Sequence, residues 1–68
     1  MFSLDRQSDT PLAEQIETKL RALISGGQLR PGVKLSSIRQ LAAQLSVSPN
    51  TVVVAYDRLV ADGLIDAV

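Results

Sequence analysis

Two helical sequence patterns stand only three residues apart, and this spacing constrains the fold more than any other feature of the chain. Apolar side chains recur at helical spacing up to Leu45 in the first pattern and from Val52 onward in the second. Between them lie Ser46, Val47 and Ser48. A connection this short does not let two helices lie apart. The sequence therefore predicts a helix-turn-helix.

The two patterns also predict buried faces and helix starts. Ser36 and Ser37 can each cap the first helix, and Gln40 completes a capping-box pattern that favours Ser37. Ser48 can cap the second helix, and Pro49 suits its first position because no N–H is needed there. The residues expected to face the core are Ile38, Leu41, Ala42 and Leu45, then Val52, Ala55, Tyr56 and Leu59.

An earlier amphipathic pattern predicts a further helix. Thr10 is its expected cap, Pro11 its first residue, and Gly26-Gly27 its end. Glu17 and Arg21 form an i,i+4 pair on a face that we expect to be solvated, and we assign that face no site. The apolar face of this helix consists of Leu12, Ala13, Ile16, Leu20, Leu23 and Ile24.

The two ends of the chain carry weaker patterns. Residues 1–9 have no sustained period and are expected to be mobile. Phe2 and Leu4 are expected either to be extended or to pack loosely on the helix that begins at Pro11. Residues 33–35 and 64–68 alternate or cluster apolar residues and predict short strands, with Gly63 as a left-handed C-cap before the second of them. The predicted fold is mainly α, a three-helix winged helix-turn-helix with short β-strands and a truncated wing.

Composition narrows the possible functions. The 68 residues form one small domain, 1–68, without cysteine or histidine, so disulfides, zinc fingers and histidine-based catalysis are excluded. No nucleophile–base pair or metal-ligand set is present, and we predict no enzyme activity. No apolar run reaches the ~18 residues needed to span a bilayer, and the N-terminus lacks a secretory signal, so a cytoplasmic setting is expected.

Charge is distributed unevenly although the net charge is zero. Residues 1–17 carry −3, residues 57–68 carry −2, and residues 18–56 carry +5 without one acidic side chain. A polyanion is therefore expected to meet the middle of the chain, unless the acidic residues cluster at the ends by chance. The basic residues of the middle segment are Lys19, Arg21, Arg30, Lys34 and Arg39.

The first turn of the helix that follows Ser48 is the candidate recognition element, because a helix in the major groove contacts bases mainly through its N-terminal residues. Asn50 can pair with adenine, Thr51 can bond phosphate or a base, and valine methyls can touch a thymine methyl. Each also has a plainer interpretation as an ordinary first-turn or core residue. Arg39 lies near the start of the helix that follows Ser37, roughly where this helix of a helix-turn-helix crosses the sugar-phosphate backbone of DNA. The candidate DNA-binding residues are Lys34, Ser36, Ser37, Arg39, Ser48, Pro49, Asn50, Thr51, Val53 and Val54.

From Pro11 to Ile65 the chain resembles the N-terminal DNA-binding domain of GntR-type bacterial regulators. The resemblance follows the order PL-x-x-QI, I-x-x-G-x-L-x-PG, L-x-S-x-R-x-LA and VS-x-NTV-x-x-AY-x-x-L-x-x-DGLI. It is strongest to the MocR branch, which is fused to an aminotransferase-like, pyridoxal-phosphate-binding domain, and next to the YtrA-like branch with a short helical dimerisation tail.

The resemblance implies operator binding as part of a homodimer, with a metabolite-responsive domain further along the protein. It implies DNA contacts at Ser37, Arg39 and residues 48–51, no cofactor in this segment, and pyridoxal phosphate as a candidate in a missing C-terminal domain. We therefore expect this chain to be a fragment. The alternative is a protein-interaction module that docks through the valine-rich face of the last helix, favoured by Val53 and Val54 beside Asp57.

Overall fold

The computed structural model describes residues 2–29 and 35–65. It contains three α-helices in this range, α1 (Leu12–Ser25), α2 (Ile38–Leu45) and α3 (Pro49–Ala61). Both α1 and α2 pack on α3, which makes α3 the central element of the fold. The predicted helix-turn-helix is confirmed.

The core is aliphatic apart from one tyrosine. Each helix contributes side chains at helical spacing, so the three apolar faces close on one another. The predicted faces of α2 and α3 are confirmed, although Ile38 is only half-buried. The buried residues are Ile16, Leu20, Ile24, Leu41, Ala42, Leu45, Val52, Ala55, Tyr56, Leu59 and Ile65.

The start of α1 differs from its prediction. Pro11, with ψ of 146°, is still extended and occupies the N-cap position, so the helix begins at Leu12. No side chain caps this helix, and the expected cap by Thr10 is wrong. The carbonyl of Thr10 accepts a hydrogen bond from the Gln15 side chain at 2.9 Å instead.

The segment before α1 is packed against the molecule, contrary to the expected mobile start. Phe2 and Leu4 lie against the buried core. The Asp5 amide donates to Gln15 Oε1 at 2.8 Å, and Gln15 Nε2 donates back to the Asp5 carbonyl at 2.8 Å. We call residues 2–11 the N-terminal arm. Reciprocal bonds to one side chain of α1 tie this arm to the helix.

The end of α3 explains why Leu64 and Ile65, the first two residues of the second predicted strand, do not form a strand. Gly63 adopts a φ of 72°, which confirms the predicted left-handed cap. The Leu64 amide then bonds the Leu59 carbonyl at 3.0 Å, a Schellman arrangement, so Leu64 and Ile65 fold back as a bend. Ile65 enters the core and is 5% exposed.

No residue of the described ranges forms a strand. Leu35, expected at the end of the first strand, precedes α2 without strand structure. The rest of both predicted strands, residues 33–34 and 66–68, lies outside the described residues. The same is true of the truncated wing that those strands were expected to begin.

Candidate nucleic-acid interface

The first turn of α3 is capped by the side chain of Ser48, the residue directly before the helix. Ser48 Oγ accepts from the Thr51 amide at 3.3 Å and forms a hydroxyl–hydroxyl hydrogen bond with Thr51 Oγ1 at 2.8 Å. Pro49 takes the first helical position. The predicted cap by Ser48 is confirmed. The same serine also bonds the Thr51 hydroxyl, which is one of the candidate DNA contacts predicted from the sequence. Asn50 is exposed beside this cap.

The opposite face of α3 is closed by the core. Val52, Ala55 and Leu59 are fully buried, so the helix cannot rotate without exposing them. Val53 and Val54 are half-buried rather than open. Val54, a candidate DNA-binding residue and part of the valine-rich face, is therefore only partly open to a ligand, because packing covers part of its surface.

The first turn of α2 has the predicted capping box. Ser37 Oγ accepts from the Gln40 amide at 3.1 Å, and the Ser37 amide donates to Gln40 Oε1 at 3.3 Å. Arg39 is exposed in the same turn. Helix starts leave further backbone N–H groups outside the helical hydrogen-bond pattern, and these favour an anionic ligand.

A buried hydroxyl joins α3 to the start of α2. Tyr56 Oη donates to the Ser36 carbonyl at 2.8 Å, just before the Ser37 cap. Burial raises the pKa of Tyr56, so the hydroxyl keeps its proton and donates at neutral pH. Ser36 thus contributes its main chain to the architecture. Its half-buried side chain is less available for DNA than the sequence suggested.

The predicted basic middle segment is partly neutralised by pairs within the fold. Arg21 bonds both Glu17, at 2.9 Å, and Asp62, and these bonds, that to Asp62 foremost, raise the pKa of Arg21. Arg58 also bonds Glu17, at 3.3 Å. The predicted Glu17–Arg21 pair is present, and the face of α1 that was expected only to be solvated is also the place where α1 is tied to α3. We call Glu17, Arg21, Arg58 and Asp62 the ion-pair cluster.

Of the ten candidate DNA-binding residues, Lys34 lies outside the described residues. Arg39, Ser37, Ser48, Pro49 and Asn50 are exposed at the starts of α2 and α3. Thr51, Ser36, Val53 and Val54 are half-buried.

Sequence reasoning missed Arg6. One guanidinium nitrogen of Arg6 donates to the Leu45 carbonyl at 2.7 Å and to the Ser46 carbonyl at 3.0 Å. These two carbonyls end α2 and begin the turn. No local pattern signals a contact between residues so far apart in the chain, and only the packed N-terminal arm creates it.

Across 2–29 and 35–65, no group of His, Cys, Asp and Glu side chains is arranged to hold a metal ion. Among the described helices, none has the length and apolar character required to cross a membrane.

Two capped helices joined by a three-residue turn, with the second backed by the core and open at its first turn, define a helix-turn-helix domain. Residues 12–68 match the bacterial regulatory proteins of the gntR family. The chain therefore belongs to the GntR family. Its helix-turn-helix is the DNA-binding domain of a transcription factor and not an enzyme.

Two curated relatives align with almost the whole chain. It is 42% identical over 67 residues to the probable rhizopine catabolism regulatory protein MocR of Rhizobium meliloti, covering 98% of this chain and 14% of MocR. It is 41% identical over 66 residues to the transcriptional repressor YtrA of Bacillus subtilis strain 168, covering 97% of this chain and 51% of YtrA. The chain thus spans about half or less of these relatives.

Solved structures give the same result. YtrA from Sulfolobus acidocaldarius, a GntR-family transcription factor, superposes with a TM-score of 0.85 at 46% identity, covering 90% of this chain and 65% of that chain. A transcriptional antiterminator from Listeria monocytogenes superposes with a TM-score of 0.83 at 39% identity, covering 90% and 46%. The resemblance to GntR-type regulators and the mainly α fold class are confirmed.

Proposed function

We propose that this chain binds operator DNA sequence-specifically, as the N-terminal module of a metabolite-responsive transcriptional regulator. One observation carries the proposal. The first turn of α3 presents an exposed Asn50 while Val52, Ala55 and Leu59 close the opposite face. This turn can enter a major groove without disturbing the core.

Base contacts come from α3 in this proposal. The Asn50 amide has the donor and acceptor that pair with adenine, and the exposed part of Val53 offers methyl groups to a thymine methyl. Thr51 contributes mainly by fixing the cap, because its hydroxyl already bonds Ser48. Asn50 is therefore the principal determinant of base preference.

Phosphate contacts come from the starts of both helices. Arg39 is an exposed guanidinium in the first turn of α2, where it can form paired hydrogen bonds with a phosphate. The Ser37 hydroxyl and the backbone N–H groups of the first helical turns add neutral donors. The Ser48 hydroxyl, like that of Thr51, contributes mainly to the cap. Lys34, four residues before Ile38 in the sequence, adds a further positive charge in this proposal. These contacts supply affinity without base preference.

The whole regulator is proposed to be a cytoplasmic homodimer. Dimers of helix-turn-helix domains bind half-sites about one helical turn apart, whereas a single domain of this size makes few contacts. The repressor YtrA and the regulator MocR are longer than this chain, so a dimerising and effector-binding part fits beyond it. Pyridoxal phosphate is the candidate cofactor of that part, by likeness to the MocR branch.

Selection from random DNA tests the proposal. A labelled pool of duplexes with a randomised centre of about 30 base pairs, long enough for two half-sites, is incubated with the protein and the bound fraction is sequenced over successive rounds. We expect enrichment of one motif. The affinity for the enriched duplex should fall with salt at a slope of about −0.9 per phosphate contact, and a scrambled duplex should bind more weakly.

A protein-docking function predicts a different result. Val53 and Val54 are partly exposed near the exposed Asp57, which is the arrangement that favours it. A docking module should enrich no motif and bind duplexes no better than background at any salt concentration. That outcome overturns DNA binding and leaves the docking face as the function of α3.

A further inference from the structure

The turn between α2 and α3 contains an unusual backbone conformation. Ser46 adopts φ of 57° and ψ of 46°, and it is the one non-glycine residue with positive φ in residues 2–29 and 35–65. Gly27 and Gly63 occupy the equivalent left-handed positions after α1 and α3. A side chain makes this conformation unfavourable, so contacts from elsewhere must hold it.

Arg6 supplies such contacts. Its guanidinium bonds the Leu45 and Ser46 carbonyls on either side of the link from α2 to the turn. The last turn of α2 has no basic residue of its own. The positive charge of Arg6 therefore also complements the negative end of the α2 dipole.

The N-terminal arm keeps Arg6 at the turn. The reciprocal hydrogen bonds between Asp5 and Gln15 attach the arm to α1, and the Gln7 amide bonds Asp5 Oδ1 at 3.0 Å beside Arg6. Phe2 and Leu4 pack against the core from the same arm. The arm thus joins α1 to the turn by a route independent of the α1–α3 packing.

The comparisons separate the arm from the rest of the domain. The family-wide match covers residues 12–68, which exclude the arm. The alignments with MocR and YtrA cover 67 and 66 residues and extend into it. Part of the arm is therefore aligned in these two relatives, although the family-wide match leaves it out.

We infer that Arg6 is a positioning residue for DNA binding: by holding the Leu45 and Ser46 carbonyls it sets the direction in which α3 leaves α2. The inference rests on the proposed function. It differs from a direct contact because Arg6 acts on the turn, while Asn50 and Arg39 meet the DNA.

The first experiment compares charge-matched variants on the enriched duplex. Arg6→Gln should weaken binding roughly five-fold, within the range by which residues that touch neither ligand change affinity. Lys19→Gln removes the same charge from an exposed site on α1 and should have less than a two-fold effect. Equal losses in the two variants would mean that Arg6 contributes only diffuse charge, and would overturn the inference.

Salt dependence separates positioning from a phosphate contact. The slope for Arg6→Gln should equal that of the unaltered protein, whereas loss of a phosphate contact lowers it by about 0.9. Arg6→Lys should restore most of the affinity, because one ammonium can reach carbonyls as one guanidinium nitrogen does. A reduced slope would place Arg6 on the DNA and overturn positioning.

Amide exchange measures the turn without DNA. The amides of Ser46 and Val47 bond the Ala43 and Ala42 carbonyls at 3.3 and 3.0 Å, and they should exchange faster in Arg6→Gln and return towards normal in Arg6→Lys. Unchanged exchange would overturn the inference while leaving the proposed function intact.

A double variant tests the role of the arm. Gln15→Leu removes the hydrogen bonds that tie the arm to α1 without touching the turn, and its loss of affinity should not add to that of Arg6→Gln. Additive losses would show two unrelated effects and overturn the inference. Absence of any duplex binding by the unaltered protein would overturn the proposed function itself, and this inference with it.

Discussion

The two ends of α3 are held in different ways. At its C-terminal end, Arg58 bonds Glu17 of α1 and Asp62 bonds Arg21, so charged side chains are satisfied by the fold. At its N-terminal end the cap is local, from Ser48, and Asn50 is exposed. We call the C-terminal end of α3, which is bonded to α1, the anchored end, and the exposed N-terminal end the presented end. Charged residues therefore do not by themselves identify a binding surface in this domain, because several of them form the ion pairs that hold α3 to α1.

The largest effect on stability is expected when a core side chain beneath α3 is truncated, because both ends of the helix depend on this core. Leu59 is fully buried, so Leu59→Ala should lower the free energy of unfolding by about 2–5 kcal/mol, through lost burial and a cavity. Urea unfolding followed by circular dichroism measures this change. Ala61→Ser, at an exposed position of the same helix, is the control and should stay within about 0.5 kcal/mol. A similar loss in both variants would contradict the packing.

The presented end is tested by Asn50→Ala. The exposed amide supports no contact within the fold that the structure describes, so the free energy of unfolding should change by less than about 0.5 kcal/mol. Affinity for the enriched duplex should fall about ten-fold or more, since an adenine pair contributes ~1–3 kcal/mol. Gln28→Ala, an amide removed beyond α1, is the matched control. Unchanged affinity in Asn50→Ala would remove this residue from the interface.

Tyr56 links the presented end of α3 to the start of α2. Tyr56→Phe removes only the hydroxyl that bonds the Ser36 carbonyl, and should cost about 1 kcal/mol in the free energy of unfolding. Phenylalanine keeps the buried ring of Tyr56, so the helices should persist. Urea unfolding at neutral pH measures the loss, and a stability equal to that of the unaltered protein would contradict the hydrogen bond.

The same residue gives a pH dependence. Because burial raises the pKa of Tyr56, the folded protein keeps this proton above the unfolded value of about 10. Its contribution to stability is complete below that value and is lost as pH rises through the higher folded pKa. The chain has one tyrosine, so alkaline absorbance titration reports Tyr56 alone. Tyr56→Phe should lack this alkaline loss of stability.

The anchored end should give the smallest effect. Glu17→Gln weakens the bonds from Arg21 and Arg58, and its cost should be below about 1 kcal/mol because both arginine side chains remain in contact with solvent. The difference should shrink at high salt, as charge screening predicts. Glu14→Gln, on the same helix and exposed, should change stability less at low salt. Thermal unfolding at two salt concentrations compares them, and equal changes would show that the ion-pair cluster anchors nothing.

Much of the fold could be predicted because it depends on local rules. Caps at Ser37 and Ser48 and the left-handed Gly63 follow from the chemistry of a few adjacent residues. Three predictions failed because local rules did not decide them. Thr10 does not cap α1, Leu64 and Ile65 form a bend, and the arm is packed rather than mobile.

The candidate site could be predicted less fully. Asn50 and Arg39 are exposed as expected, since the apolar period places them away from the core. The Thr51 hydroxyl, the Ser36 carbonyl and Arg21 are already engaged by partners within the fold. Spacing along α1 predicts Glu17 as a partner of Arg21, but it cannot predict Asp62 as its second partner or Tyr56 as the partner of the Ser36 carbonyl, because Asp62 and Tyr56 belong to another part of the fold.

The amino-acid sequence by itself determined the three helices, their apolar faces and the short turn that makes two of them a helix-turn-helix. These follow from residue spacing and from capping groups within a few positions of each other. Only the tertiary structure decided that Arg21 pairs with Asp62, that Arg58 pairs with Glu17 and that Arg6 reaches the Ser46 turn. Such contacts join residues about 40 positions apart, and their formation depends on how the helices pack rather than on any local preference.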